Sequence, residues 1–299
     1  MILKKLKLST LAGAVLISTG AMALPITTDI VTVVDESGSM GGEHAWLGTM
    51  ISDLGMALSA AAGADTLNDQ YGLVGFGGSS SHLYGHVHDM DNLTAGTQEW
   101  GSTAQYSNAV SGLVLNGGTE DGYSGMNAAL AMTGQANSVR NIILVTDEDR
   151  DVTSGTNTTA QQMTDALAQD KALLNAVLNV SIKCGDGTFA LGVDSNGTGY
   201  KADGDGGFTT CENAYQYGGF GTSIADYGNL ALATGGAVWD LNKLRLGGNT
   251  AMSFTAAFVD VKIKETIDVI VNVAEPGTFA LLGLGLAGLV SSRRRKSKA

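Results

Sequence analysis

The chain is poor in most of the residues that announce a chemistry. Of its 299 residues only 2 are Cys, 4 are His and 17 are Lys or Arg. Two cysteines exclude a disulfide-rich scaffold and leave sulfur too few ligands for a zinc site. So small a basic complement against 29 Asp and Glu excludes a nucleic-acid surface, because phosphate binding is carried by Lys and Arg. No apolar run reaches the ~20 residues of a bilayer span. Nor does the sequence offer a nucleophile, base and orienting group as a set, so an enzyme is not expected.

What is present is unevenly distributed. Lys4, Lys5 and Lys7 precede the apolar stretch Leu11 to Ile17, and Ala21-Met22-Ala23 supplies a small-x-small cleavage pattern. Residues 1–23 therefore read as a secretory signal. At the other end Ala274-Glu275-Pro276-Gly277-Thr278 leads into an apolar segment, Phe279 to Val290, and then Arg293-Arg294-Arg295-Lys296. A hydrophobic segment with a basic stop behind it is a membrane-engaging element whose charged side stays in the cytoplasm. Eight of the Lys and Arg lie in these two ends, whereas all but one of the acids lie between them. The exported body is strongly acidic and should favour cations and basic partners.

Within that body, the β-branched run Ile30-Val31-Thr32-Val33-Val34 reads as a buried parallel strand, and it delivers Asp35-Glu36-Ser37-Gly38-Ser39 to a sheet edge. A carboxylate and two hydroxyls at alternate positions are ligands for a hard divalent cation. Two more segments follow in order: Gly117-Gly118-Thr119, and a second apolar strand, Asn141 to Thr146, ending in Asp147. Together they resemble the von Willebrand factor A domain with its metal-ion-dependent adhesion site, Asp-x-Ser-x-Ser. The resemblance implies that Asp35, Ser37, Ser39, Thr119 and Asp147 hold Mg2+, or Ca2+ or Mn2+, with some carboxylates acting through water. It also implies that a carboxylate of a protein or matrix ligand completes the shell. The C-terminal order of parts resembles the PEP-CTERM sorting signal read by an exosortase-type enzyme, with Ala274-Glu275-Pro276 where that family has Pro-Glu-Pro.

The expected fold is α/β: a doubly wound, mostly parallel sheet with one antiparallel edge strand and helices on both faces, over residues 24–264. Helices are expected at 43–62, 103–113, 121–133, 158–174 and 249–262, and strands at 71–77, 140–146, 176–184 and 235–239. A stalk over 265–274 joins this domain to the sorting signal at 275–299. Cys184 and Cys211 are expected to form a disulfide, as an isolated pair in an exported chain. Residues 185–221 are rich in Gly and Asp, and read as an insertion too polar and short to bury a core of its own. Asp194-Ser195-Asn196-Gly197-Thr198 and Asp203-Gly204-Asp205 space their oxygens as calcium loops do, without the full EF-hand pattern. His82, His86 and His88, with Asp89, invite a second metal site, but with no partner motif downstream they read as surface histidines on an edge hairpin.

These features suit an exported, surface-associated binding module that captures its partner through a divalent cation, tethered to the inner membrane before processing. They leave room for a structural protein of the extracellular matrix, using the cation for stability or to bridge polysaccharide. They leave less for metal-assisted hydrolysis.

Overall fold

The computed structural model describes residues 26–63, 67–91, 97–152 and 157–267. The leader, the sorting signal and all but the first residues of the stalk lie outside them. The first half runs β1 (Ile26–Asp35), α1 (Gly41–Ala62), β2 (Leu67–Phe76), β3 (His86–Val87), α2 (Thr103–Ala109), α3 (Gly122–Ala131), β4 (Val139–Thr146), α4 (Ala160–Asp170) and β5 (Leu173–Leu178). Six short strands follow: β6 (Val180–Lys183), β7 (Phe189–Ala190), β8 (Gly192–Asp194), β9 (Gly199–Ala202), β10 (Phe208–Cys211) and β11 (Tyr215–Gly219). A π-helical turn at Ile224–Gly228 opens α5 (Asn229–Ala233), before β12 (Ala237–Asp240), α6 (Leu241–Arg245) and α7, residues 248–267.

The sheet order is β10-β9-β8-β12-β5-β4-β1-β2-β3. Its centre, β12-β5-β4-β1-β2, is parallel, and β3 closes one edge antiparallel. The fold is the mixed α/β architecture expected. Alternation along the central strands divides the core into two layers. Ile30 and Val34 of β1, with Ile143 and Val145 of β4, pack against Leu47, Met50 and Leu54 of α1 and Phe254 and Phe258 of α7. Val31, Val33, Ile142 and Leu144 face the other way, onto Tyr123 and Met126 of α3 and Met163 and Leu167 of α4. Capping boxes set the starts of α2, through Ser102 and Gln105, and of α4, through Thr159 and Gln162. Gly125 lets α3 lie directly on the sheet: a Cβ there would stand 2.5 Å from Val33 Cγ1 and 2.9 Å from the Phe76 ring.

Several boundaries differ from the sequence expectation. The helix expected to reach residue 174 stops at Lys171, which takes a left-handed conformation (φ 51°), and Leu173 and Leu174 begin β5 instead. A short apolar run beside a helix reads equally well as its last turn, and only the sheet decides. The strand expected over 176–184 is two strands, β5 in the central sheet and β6 in a separate sheet of order β11-β6-β7. The break is at Asn179, whose carbonyl accepts from Phe220 N–H at 2.9 Å and whose side chain is bonded by Asn242. Residues 185–221 bury no independent core. They form strands that add β8, β9 and β10 antiparallel to the central sheet beyond β12, so both of its edges are antiparallel. The last helix runs to 267, taking the first three residues of the expected stalk.

Cys184 and Cys211 are joined, with Cα atoms 5.9 Å apart and a sequence separation of 27. The two aspartate turns considered as calcium loops are closed by their own backbone. Asp194 Oδ1 accepts from Asn196 and Thr198 N–H, and Asp203 Oδ1 from Asp205 and Gly207 N–H. Their oxygens cap hairpin turns, as Asx motifs do.

Two outcomes follow for stability, both read from urea unfolding. Gly125→Leu should cost ~1–3 kcal/mol by overpacking the α3 contact. Cys184→Ser should cost about 3.5 kcal/mol, the chain-entropy value for a loop of this length, whereas an unchanged midpoint would mean that the cross-link adds nothing.

Candidate metal centre

Asp35 is the last residue of β1 and is fully buried. The parallel register sets Val34 beside Val145, so the next residues, Asp35 and Thr146, meet at the carboxyl end of the sheet. Thr146 donates its hydroxyl to Asp35 Oδ2 at 2.9 Å, and Ser37 N–H donates to Oδ1 at 2.7 Å. His44 Nε2 lies 2.8 Å from the Asp35 carbonyl and fastens α1 to the same strand end. The carboxylate is thus fixed by the strand order and by the turn that follows it.

The turn then brings its hydroxyls into line. Ser37 Oγ and Ser39 Oγ are 3.1 Å apart, and Ser39 donates to Asp147 Oδ1 at 2.9 Å. Asp147 follows β4 directly, and its Oδ2 accepts from Arg245 at 2.8 Å. Four of the five residues singled out from the sequence, Asp35, Ser37, Ser39 and Asp147, therefore form one hydrogen-bonded group. Thr119 is exposed in its loop.

Its neighbour Glu120 occupies the site. One oxygen each from Asp35, Glu120 and Asp147 lie within 4.8 Å of one another. Glu120 is set by the loop after β4: its N–H donates to Asp151 Oδ2, and its carbonyl accepts from Asp151 N–H at 2.8 Å. Gly77 makes room for the pair with a positive φ of 81°, since a Cβ there would stand 3.1 Å from Asp35 Oδ1 and 3.3 Å from Glu120 Cγ. Glu120 was not legible as a ligand, because in sequence it is one acid of the Glu120-Asp121 pair.

Two carboxyl groups this close cannot both ionise freely. Burial, then contact with Asp35, pushes the Glu120 carboxyl up to about 9, and burial raises Asp35 as well. Glu148, next in the loop after Asp147, is raised by burial and by the surrounding carboxylates. Arg245 opposes this negative field from one side, bonding Glu43 Oε1 at 2.6 Å as well as Asp147. It lies 98 residues beyond Asp147, and nothing in its local sequence marks it.

A divalent cation fits these residues. The donors are all oxygen, as hard cations require. Glu120 Oε2 is buried without a hydrogen-bond partner, and a buried carboxylate oxygen in that state calls for a cation or a proton. Asp35, Glu120, Asp147 and the two serine hydroxyls are the groups that would hold it.

A second group stands on the opposite side of the same turn. His82, His86 and His88 do not face solvent as an edge hairpin alone would have them do; their ring nitrogens approach the carboxylate of buried Glu36 at 3.0–3.3 Å. The partner missing downstream lies upstream, at the x position of Asp-x-Ser-x-Ser.

Comparison with known proteins agrees with the loops. The von Willebrand factor type A domain matches residues 29–187, and the PEP-CTERM protein-sorting motif matches residues 272–296. No curated protein matches the chain. Among solved structures, proximal thread matrix protein 1 of the mussel byssus is 16% identical over 52% of this chain and 38% of its own, with a TM-score of 0.35. An aerotolerance-related membrane protein of Bacteroides fragilis is 14% identical over 78% of this chain and 98% of its own, at 0.39. A von Willebrand factor type A protein of Catenulispora acidiphila is 20% identical over 51% of this chain and 33% of its own, at 0.31. The chain thus spans well under half of the mussel and Catenulispora proteins, and overlaps of this quality carry no argument about function. The match over 29–187 takes in more than half of the 299 residues, and the chain belongs to the von Willebrand factor type A domain family.

Proposed function

We propose that this protein is a binding module of the cell surface or extracellular matrix, and not an enzyme. On this reading it captures a carboxylate-bearing protein or matrix ligand at a Mg2+ held by Asp35, Glu120, Asp147, Ser37 and Ser39. The observation that carries the reading is the convergence of these oxygens at the carboxyl ends of β1 and β4, where ligands of open α/β sheets bind. The sorting motif at 272–296 supports export and processing by an exosortase.

When bound, the cation offers a partner carboxylate a positive site on a surface that otherwise repels it. The chain's own residues do the rest. Asp35 is held from both sides by Ser37 N–H and Thr146, so it costs little reorganisation on binding. Ser39 is exposed and sits at the mouth, bonded to Asp147. Arg245 holds the far oxygen of Asp147 and fixes its orientation. With both carboxyls raised, one of Glu120 and Asp35 would carry a proton in the metal-free fold and would give it up to let a cation bind.

Three measurements on the metal-stripped full-length chain test the reading. Calorimetric titration of Mg2+, Ca2+ and Mn2+ should give saturable binding. Ser39→Ala, at an exposed position, should weaken it ~10-fold or more with the fold intact, and Asp35→Ala should abolish it. Equal affinity in parent and Ser39→Ala would place the ion elsewhere.

The pH dependence has a definite sign. The Glu120 carboxyl titrates near 9 in the fold, above its ordinary value, so the metal-free fold binds more protons than the unfolded chain between the two. Metal-free stability should therefore fall as pH rises from 5 to 9. Mg2+ affinity should rise over the same window, by up to ~tenfold per pH unit for one released proton. A flat profile would mean that the pair is not displaced.

Partner capture is tested with an immobilised Glu-rich peptide. Retention in Mg2+ that is lost with chelator or in Ser39→Ala supports the adhesion reading. A large metal-dependent rise in melting temperature with no retention would favour a structural role in the matrix.

A further inference from the structure

Three of the chain's 4 histidines turn toward one carboxylate. Glu36 is fully buried between Asp35 and Ser37. Its Oε2 lies 3.0 Å from His82 Nδ1 and 3.2 Å from His86 Nε2, and its Oε1 lies 3.3 Å from His88 Nε2. The rings pack with centroids 4.4 to 5.9 Å apart. One ligand-capable atom from each of the four residues falls within 4.8 Å of all the others.

Hydrogen bonding accounts for only one of the three rings: His82 Nδ1 lies within hydrogen-bond reach of both Glu36 oxygens, at 3.1 and 3.0 Å. His86 Nδ1 is 3.0 Å from the Tyr84 carbonyl, an acceptor, so Nδ1 carries the ring proton. In the neutral ring Nε2 then presents a lone pair to a carboxylate oxygen. The Nε2 atoms of His86 and His88 are buried and have no hydrogen-bond partner, although Glu36 is beside both. Proximity without alignment is what results when several lone pairs point at a common centre rather than at each other. Charging all three rings would satisfy the carboxylate but crowd two uncompensated positive charges into a cluster no more than 26% exposed. One divalent cation accepts every lone pair at once.

The dimensions agree. Ligands about 2.0–2.1 Å from a tetrahedral ion stand about 3.3 Å from one another; His82 Nδ1 and His86 Nε2 lie 3.0 and 3.2 Å from Glu36 Oε2, His88 Nε2 lies 3.3 Å from Oε1, and one ligand atom from each residue falls within 4.8 Å of the others. The surroundings are built around the same point. Val114 N–H donates to Glu36 Oε1 at 3.0 Å, and the Tyr84 carbonyl orients His86 as outer-sphere partners of metal-bound imidazoles do. Gly75 of β2 leaves the space open: a Cβ there would stand 2.8 Å from His88 Nε2 and closer still to Glu36 Oε2.

We propose that Glu36, His82, His86 and His88 form a second metal site, for an imidazole-preferring first-row dication such as Zn2+, separate from the oxygen site. Three imidazoles and one carboxylate complete a four-coordinate protein shell, the pattern of a structural zinc rather than a catalytic one. Consecutive residues aim in opposite directions: Asp35 into the oxygen site, Glu36 into the histidines. The ion ties the β2–β3 hairpin to the turn carrying Ser37 and Ser39.

The test uses the metal-stripped full-length chain in saturating Mg2+, so that the oxygen site is filled. Zn2+ is titrated in competition with a chromogenic chelator, and Co2+ is followed by its visible absorption. The expected result is one equivalent of Zn2+ per chain and a Co2+ spectrum of low-coordinate nitrogen and oxygen ligation. His86→Ala and His88→Ala should each lower Zn2+ affinity at least ~100-fold, at or beyond the loss typical of outer-sphere partners, while Ser39→Ala leaves it unchanged. Circular dichroism identifies folded variants, and His82→Asn, at the most exposed of the three positions, repeats the test should an alanine variant fail to fold. Absence of stoichiometric Zn2+ binding, or equal affinity in a folded histidine variant, overturns the site. Loss of Zn2+ in Ser39→Ala with retention in the histidine variants overturns it too, by assigning the ion to the oxygen site.

Discussion

A carboxylate buried at the end of a central parallel strand is the constraint on which the rest of this structure depends. Asp35 has no solvent exposure, and an ion in that position is tolerated only when hydrogen bonds or counter-charge replace its water. The parallel pairing of β1 with β4 supplies Thr146, the turn supplies Ser37 N–H, and the loop before α3 supplies Glu120. Each partner comes from a different segment, so the carboxylate cannot be satisfied until the sheet is assembled in this order. The polar group therefore helps to specify the topology even though the apolar layers on either side supply most of the stability.

The same logic explains the acidity around it. Asp147, Glu120 and Glu148 share one end of the sheet, and Asp151 stands behind Glu120. Without compensation such a group would strain the carboxyl ends of β1 and β4 apart. Arg245 limits this on one flank, where it bridges Glu43 and Asp147, and on the other the hairpin imidazoles stand beside Glu36. Neither neutralises the Asp35–Glu120 pair, where a proton or a cation has to serve. The site is thus poised by what the surrounding charges leave uncompensated.

How much of this was legible follows from how local each signal is. β1 and β4 are β-branched runs leading into acids, and their reading as buried strands of one mostly parallel sheet needed only pattern and order, whereas their adjacency came from the structure. The serines came with the turn, since alternate spacing on one turn is a local property. Glu120, Arg245 and the role of Glu36 are different. Each is an ordinary charged residue in sequence, given its function by a partner brought from elsewhere: Asp35 for Glu120, Asp147 for Arg245, the hairpin histidines for Glu36. The misplaced boundaries have the same origin. Leu173 and Leu174 read as helix until β4 pairs with β5, and the polar stretch 185–221 reads as an insertion without a core because its strands gain their apolar side from Trp239 and the rest of the sheet edge.

The hairpin histidines show why a motif should be read together with its unspecified positions. In Asp-x-Ser-x-Ser the first x is outside the oxygen site by geometry, because successive side chains leaving a strand point to opposite sides. That position is therefore free of the first site's chemistry and open to another. Here it carries a glutamate whose backbone is fixed on both sides, by Glu36 N–H to the Phe76 carbonyl at 2.7 Å and by Asn116 N–H to the Glu36 carbonyl at 3.0 Å. A backbone pinned at both of its polar groups keeps neighbouring side chains to their own sides: Asp35 and Glu36 serve different clusters from adjacent positions, and the turn to Ser37 and Ser39 leaves from a peptide unit already fixed by Phe76 and Asn116.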